Sequence, residues 1–239
     1  MPRTSRALGS RLRTEALLVR KVPFGDADVM VTLFTEARGL VSAVARSARR
    51  SARRFPALEP MHLLRVSLDE RASAELASLA EATLLRPRLG LTGDLDKLEA
   101  AGQALRWVRR ALSPHTPEPA LFQEVNAMLD DLDTGDSGKA PRARLAALGL
   151  YLLASVGWGL DLERCVGCGR DCAEGASAYV DAARGGLVCR ACGGARIALR
   201  EGRRGRLLAA ARGAYAELQP DDATTAIELV DQALEAHTR

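Results

Sequence analysis

Two Cys-x-x-Cys pairs, Cys165-Val-Gly-Cys168 and Cys189-Arg-Ala-Cys192, constrain this chain more than any other stretch of it. Twenty residues, from Gly169 to Val188, separate the pairs, a spacing that suits a tetrahedral site of four thiolates around one zinc ion. A glycine follows each pair, Gly169 and Gly193; lacking a Cβ, it lets the backbone fold back and aim amides at sulfur. A zinc knuckle held by Cys165, Cys168, Cys189 and Cys192 is therefore expected, in a module at about residues 163–195. Four thiolates leave no open coordination position, so the zinc is expected to be structural, one per chain. Cys172, four residues after Cys168, is expected to be a non-ligand.

Catalytic patterns are missing. A zinc deaminase needs His-x-Glu ahead of Pro-Cys-x-x-Cys, and none of His62, His115 or His237 supplies it. A phosphate loop of the Gly-x-x-x-x-Gly-Lys-Ser/Thr type does not occur, and three isolated histidines give no triad. A zinc hydrolase would need Cys172 or a histidine at the metal, against the closed ligand set. The chain is read as a non-enzyme. Asp221-Asp222 reads as a helix cap and Asp130-Asp131 as a solvated helix end.

Charge is distributed unevenly. Among residues 1–54 twelve basic side chains face four acidic ones, a balance of +8, which leaves −4 for the remainder of a chain of 239 residues and net charge +4. Such a basic front marks a face for a polyanion. No stretch approaches the roughly 20 apolar residues of a membrane span, and no signal-peptide run opens the chain; a cytoplasmic location with no membrane partner is expected. In a reducing compartment paired cysteines bind metal more readily than they form disulfides.

Along the chain, residues 1–11 read as a mobile basic arm. Short apolar runs follow at residues 16–22, 29–34, 40–45 and 62–68, broken by Pro23-Phe24-Gly25-Asp26 and Glu36-Ala37-Arg38-Gly39. Residues 76–85 fit either a helix or a closing strand. Five strands in about 70 residues indicate a small barrel, with Phe34 expected to face its core. Between the third and fourth strands runs Arg46-Ser-Ala-Arg-Arg-Ser-Ala-Arg-Arg54, with no large apolar anchor of its own; arginine forks there suit phosphate oxygens. Candidate DNA-binding residues are Arg20, Lys21, Arg38, Arg46, Arg49, Arg50, Arg53 and Arg54. Aromatic residues are only 4% of the chain, so contacts should lean on phosphates and depend strongly on salt.

After Pro87 the pattern is helical. Helices are expected over about residues 94–112, 119–132 and 142–156, with a Gly135–Lys139 linker between the last two, and over 205–218 and 223–236 beyond the cysteine module. The fold class is thus α+β: an N-terminal five-stranded barrel domain, residues 1–85, and a helical domain, 86–239, with the four-cysteine zinc finger inserted.

The residues resemble the bacterial recombination mediator family RecO. Ala16-Leu-Leu-Val-Arg-Lys-Val-Pro-Phe-Gly-Asp-Ala-Asp28, Val31-Thr-Leu-Phe-Thr-Glu-Ala-Arg-Gly-Leu40 and Ala45-Arg-Ser-Ala-Arg-Arg50 are similar to that family's opening. Leu152-Leu-Ala-Ser-Val-Gly-Trp-Gly-Leu160 before Cys165 is similar to its entry into the zinc module. The resemblance implies an N-terminal OB-fold, binding of single- and double-stranded DNA, and annealing of complementary strands. It also implies partnership with RecR and with the C-terminal tail of single-stranded DNA-binding protein (SSB) in loading RecA, by a chain expected to be monomeric alone. A zinc-ribbon RNA-binding or ribosome-associated protein is the rival reading, because a basic front and a four-cysteine site would serve it equally.

Overall fold

The computed structural model describes residues 10–51, 53–55, 58–70, 76–135, 141–173, 176–200 and 202–238. The expected arm lies outside the described residues up to position 9, as does the expected Gly135–Lys139 linker from position 136 on. Two compact units form. The first runs to Leu89 and takes in Leu112–Asn126; the second comprises Gly90–Ala111 and the chain from Ala127.

In the first unit β1 (Ser10–Phe24), β2 (Asp28–Thr35), β3 (Gly39–Ala45), β4 (Leu63–Glu70) and β5 (Ala77–Arg86) close into a barrel in the order β1-β2-β3-β5-β4. β3 and β5 pair in parallel through Ala43–Ala77 and Val44–Ser78, and every other pairing is antiparallel. This closure makes the ambiguous segment at 76–85 a strand, and the barrel is an OB-fold. β1 begins earlier than its apolar run suggests, because Ser10–Leu17 pair with β4 along their whole length. Ser10 and Arg11 are therefore strand residues and not part of an arm; Arg11 Nε donates to Asp69 Oδ1 at 2.7 Å.

Leu18, Val31, Leu33, Val41, Leu64, Val66 and Leu79 fill the barrel. Phe34 does not join them. It is fully buried on the opposite face of β2, in a row with Leu63, Leu17 and Leu40 that crosses four strands in register. Residues 112–126 cover this row. Phe122 meets Phe34 edge to face with centroids 5.3 Å apart, and the His115 amide donates to the Leu40 carbonyl at 3.0 Å. Gly39 is doubly constrained here, with φ of 64° and a Cβ position only 1.9 Å from the Thr116 carbonyl oxygen. Sequence alternation recognised a buried face but could not tell the barrel interior from a covered exterior.

The second unit packs α1 (Leu95–Ala111), the end of α2 (Pro119–Thr134), α3 (Pro141–Ser155), α4 (Arg203–Ala211) and α5 (Pro220–His237). Trp107, 1% exposed, lies against Gly149, where a Cβ would fall 2.6 Å from the indole ring. Its Nε1 donates to Asp231 Oδ1 at 2.6 Å, so the buried ring keeps its polar atom satisfied. Asp131, near the end of α2, stays partly exposed as expected but is also ion-paired. Its Oδ2 accepts from the buried Arg144 Nε at 2.8 Å. No helix of the described residues is long and apolar enough to cross a membrane.

The expected helix at 205–218 is shorter than its composition suggests. α4 stops at Ala211, where the Gly213 amide donates to the Ala210 carbonyl at 3.0 Å and the Ala214 amide to the Ala209 carbonyl at 2.9 Å. That is a Schellman ending, and Gly213, with φ of 93°, permits it. Asp222 caps α5 as expected, from within its first turn, in a capping box with Gln219. It accepts the Gln219 amide at 3.0 Å, Arg203 Nε at 2.9 Å and Arg206 Nε at 2.6 Å. Burial pushes the Asp222 carboxyl up, but Arg206, the Gln219 amide and Arg203 outweigh it and hold it below the usual carboxylate range. The stabilisation is therefore complete above its unfolded value of about 4 and fades as pH falls through the lower folded value. Asp222→Ala should cost about 3 kcal/mol at pH 7, the low end for a broken buried pair because both arginines are partly exposed. In urea unfolding the gap from wild type should narrow at about pH 3; an equal gap at both pH values would contradict the assignment.

Candidate metal centre and basic barrel face

The arginine segment leaves β3 at Ala45, passes Ser47 in the left-handed region and makes a short 3-10 turn at Ala48–Arg50. It is pinned to the barrel. Phe55 and Leu58, each 5% exposed, join the barrel core just downstream, which supplies the apolar anchor that Arg46–Arg54 lacks. The Ser47 amide donates to Asp28 Oδ1 at 2.7 Å and the Arg49 amide to the Ala27 carbonyl at 3.1 Å, so the segment lies along the turn between β1 and β2. The Arg54 guanidinium stands 5.1 Å from the Phe55 ring and donates to the Arg46 carbonyl at 2.7 Å.

Around this turn the structure gathers most of the cations singled out in the sequence. Arg46, Arg50 and Arg53 are exposed and make no side-chain partner among the described residues. Among the described residues the Arg49 side chain reaches only the Asp26 carbonyl, at 3.4 Å. Arg20 and Lys21 lie on β1 opposite Thr32 and Val31, close to the same turn; Lys21 forms an exposed ion pair with Glu59 at 2.6 Å, a contact too weak to keep it from a phosphate. Arg38 stands apart, on the turn at the far end of β2, eight residues or about 25 Å away. Sequence reasoning did not single out Phe24. It is 49% exposed at the β1–β2 turn, and its place inside a Pro-Phe-Gly-Asp turn, where no core is available to a ring, was the signal.

The second site is built by β6 (Asp161–Cys165), β7 (Ala178–Asp181), β8 (Gly186–Leu187) and β9 (Ile197–Leu199), ordered β6-β8-β7-β9. Cys165 ends β6. The Gly169 amide donates back to the Cys165 carbonyl at 2.8 Å, and the Gly194 amide to the Cys189 carbonyl at 3.0 Å, so each pair folds into a knuckle. The sulfurs of Cys165, Cys168, Cys189 and Cys192 lie within 4.8 Å of one another, with Cys168 and Cys189 3.8 Å apart. A tetrahedral ion with metal–sulfur bonds of about 2.3 Å puts its sulfurs about 3.8 Å apart. The four donors fit such an ion, and Cys172 stands outside the group.

Electrostatics agree with that fit. The Cys189 amide donates to Cys165 Sγ at 3.3 Å and, with the Gly167 and Cys168 amides, lowers the Cys165 thiol to about 6. Hydrogen bonds from the Cys192 thiol to the Cys189, Cys168 and Cys165 sulfurs push it up to about 12. A divalent cation at the centre would replace those hydrogen bonds with metal–sulfur bonds and deprotonate the thiols outright. Arg204 of α4 fastens the module to the helices. Only 6% exposed, it donates to the carbonyls of Leu162 at 3.2 Å and Cys172 at 3.0 Å, and to that of Ala173.

A closed OB-fold barrel with a basic end, followed by a helical unit that carries four clustered thiols, defines the class. Residues 10–88 match the family described as Recombination protein O N terminal, and residues 92–239 match Recombination protein O C terminal. The chain is 39% identical over 184 residues to the DNA repair protein RecO of Anaeromyxobacter sp. (strain K), covering 76% of this chain and 70% of that one. With the DNA repair protein RecO of Geobacter metallireducens it shares 34% identity over 229 residues, 94% of this chain and 91% of that one. The chain belongs to the Recombination protein O family.

Proposed function

We propose that this chain acts in DNA repair and recombination by binding single- and double-stranded DNA and annealing complementary strands. The observation that carries the reading is the set of exposed arginines, Arg46, Arg49, Arg50, Arg53 and Arg54, held beside Arg20 and Lys21 at one end of the barrel. Cations fixed there neutralise the phosphates of two strands and lower the repulsion that opposes pairing, while base pairing supplies the specificity. No turnover is required, so the role is that of a non-enzymatic mediator. Family membership supports the partners: RecR, the C-terminal tail of SSB, and loading of RecA on SSB-coated DNA, in the cytoplasm. The ion at the four cysteines is zinc, one per chain, because four thiolates in tetrahedral array select a soft d¹⁰ cation, and its role is structural.

Competition separates this reading from an RNA-binding module. Labelled single-stranded DNA on the metal-replete protein should be displaced by unlabelled DNA at lower concentration than by structured RNA. Equal or better displacement by RNA would overturn the DNA assignment.

A further inference from the structure

Three cations that are scattered in sequence converge beside the cysteine cluster. Arg170, Arg190 and Arg200 line one groove of about 490 Å³, with Tyr179 on its wall and Leu187 in its floor. That volume lies within the range of ligand-binding clefts, about 300–1,000 Å³. Arg170 and Arg200 are exposed and make no side-chain partner among the described residues. Arg190 stands 5.6 Å from the Tyr179 ring centroid and donates to its hydroxyl at 3.1 Å. Asp171 is the one carboxylate on the lining among the described residues, set against three guanidinium groups; the thiolates of Cys165 and Cys189 on the same lining are shared with the metal, so the arginines are the groups that offer the groove to an anion.

The knuckles set these positions. The Cys165 amide donates to the Arg170 carbonyl at 2.9 Å and the Gly193 amide to the Arg190 carbonyl at 3.1 Å, while Arg200 directly follows β9. A basic groove with an aromatic wall is the combination that takes single strands without sequence preference: phosphates on guanidinium forks, a base against a ring. An acidic peptide would satisfy the charge but gives no reason for the ring and guanidinium pair on the wall.

We propose that this groove is a second contact for single-stranded DNA, separate in sequence from the barrel arginines, with backbone phosphates on Arg170, Arg190 and Arg200 and a base against Tyr179. It rests on the reading of the chain as DNA-binding and gives the annealing reaction a second strand-holding site. The zinc module then has a ligand as well as a structural part.

The test uses the full-length, metal-replete protein and a fluorescein-labelled oligothymidylate, read by anisotropy across a salt series. Arg170→Ala with Arg200→Ala should lower the salt slope by about 1.4, at about 0.7 per phosphate contact, in the wild-type background and in one lacking the barrel arginines. Tyr179→Leu, with bound metal measured to verify the fold, should weaken binding about fivefold, the low end for loss of one stacked base. A 5-iodouracil oligonucleotide should cross-link to the peptide that holds Tyr179. An unchanged slope and affinity with no cross-link, while the barrel variant loses binding, overturns the groove alone. If neither set of variants changes DNA binding, the proposed function itself fails. Loss of an aspartate-rich peptide with DNA binding intact also overturns the proposal and makes the groove a peptide site.

Discussion

Stripping the metal from the four-cysteine site is expected to unfold the module at 161–200 and lower the stability of the second unit, with the barrel left standing. The module has little else to hold it. Its strands are two to five residues long, and among the described residues its large buried apolar side chains are few: Leu162, Val180, Leu187, Val188 and Leu199, with only Cys165, Ala178 and Ala182 beside them. Structural zinc in small fingers supplies about 10–16 kcal/mol of apparent binding free energy at pH 7, most of which is folding energy. Losing it also removes the fixed carbonyls that satisfy Arg204, leaving a buried guanidinium without partners. Chelator treatment, or Cys165→Ser with Cys192→Ser, should lower the thermal midpoint and open residues 161–200 to protease. Metal-free protein with an unchanged melting curve and digestion pattern would show the site to be dispensable for folding.

Arg49→Ala, Arg50→Ala, Arg53→Ala and Arg54→Ala together are expected to produce the largest functional loss. At about 0.7 per contact with single-stranded DNA, four phosphate contacts account for about 2.8 in the slope of log affinity against log salt. Between 50 and 200 mM salt that share corresponds to about a fiftyfold change in affinity, which the variant should no longer display. The fold should survive, because Phe55 and Leu58 anchor the segment and the mutated side chains are exposed. Arg38→Ala, about 25 Å away along β2, should change the slope by no more than about one contact. A quadruple variant with the wild-type slope would remove this segment from the DNA-binding face.

The parts legible in sequence were those fixed by local geometry. Cys-x-x-Cys-Gly has few ways to place two sulfurs on one ion, so the ligand set followed from spacing. Turn residues at Gly25 and Gly39 delimited β1, β2 and β3. What stayed hidden depended on distant partners. The first half of β1 is a strand because β4 lies beside it, not because Arg11 or Arg13 favours one. Phe34 looked like a barrel-core residue until Phe122, far along the chain, proved to cover it. Asp222 was legible as a helix cap but not as an ion-pair partner, and Asp131 looked like a solvated helix end, because Arg206, Arg203 and Arg144 lie on other elements. Likewise Arg170, Arg190 and Arg200 share a groove that no charge run announces. Gly213 was a local signal overlooked, a helix stop inside an alanine-rich run.

Strand annealing tests the central claim most directly. Complementary labelled oligonucleotides, bare or coated with SSB, should pair several times faster with the metal-replete protein than without it, and the acceleration should fall as salt rises and in the arginine variant. Metal-replete, folded protein that binds neither strand and leaves the annealing rate unchanged would contradict the account.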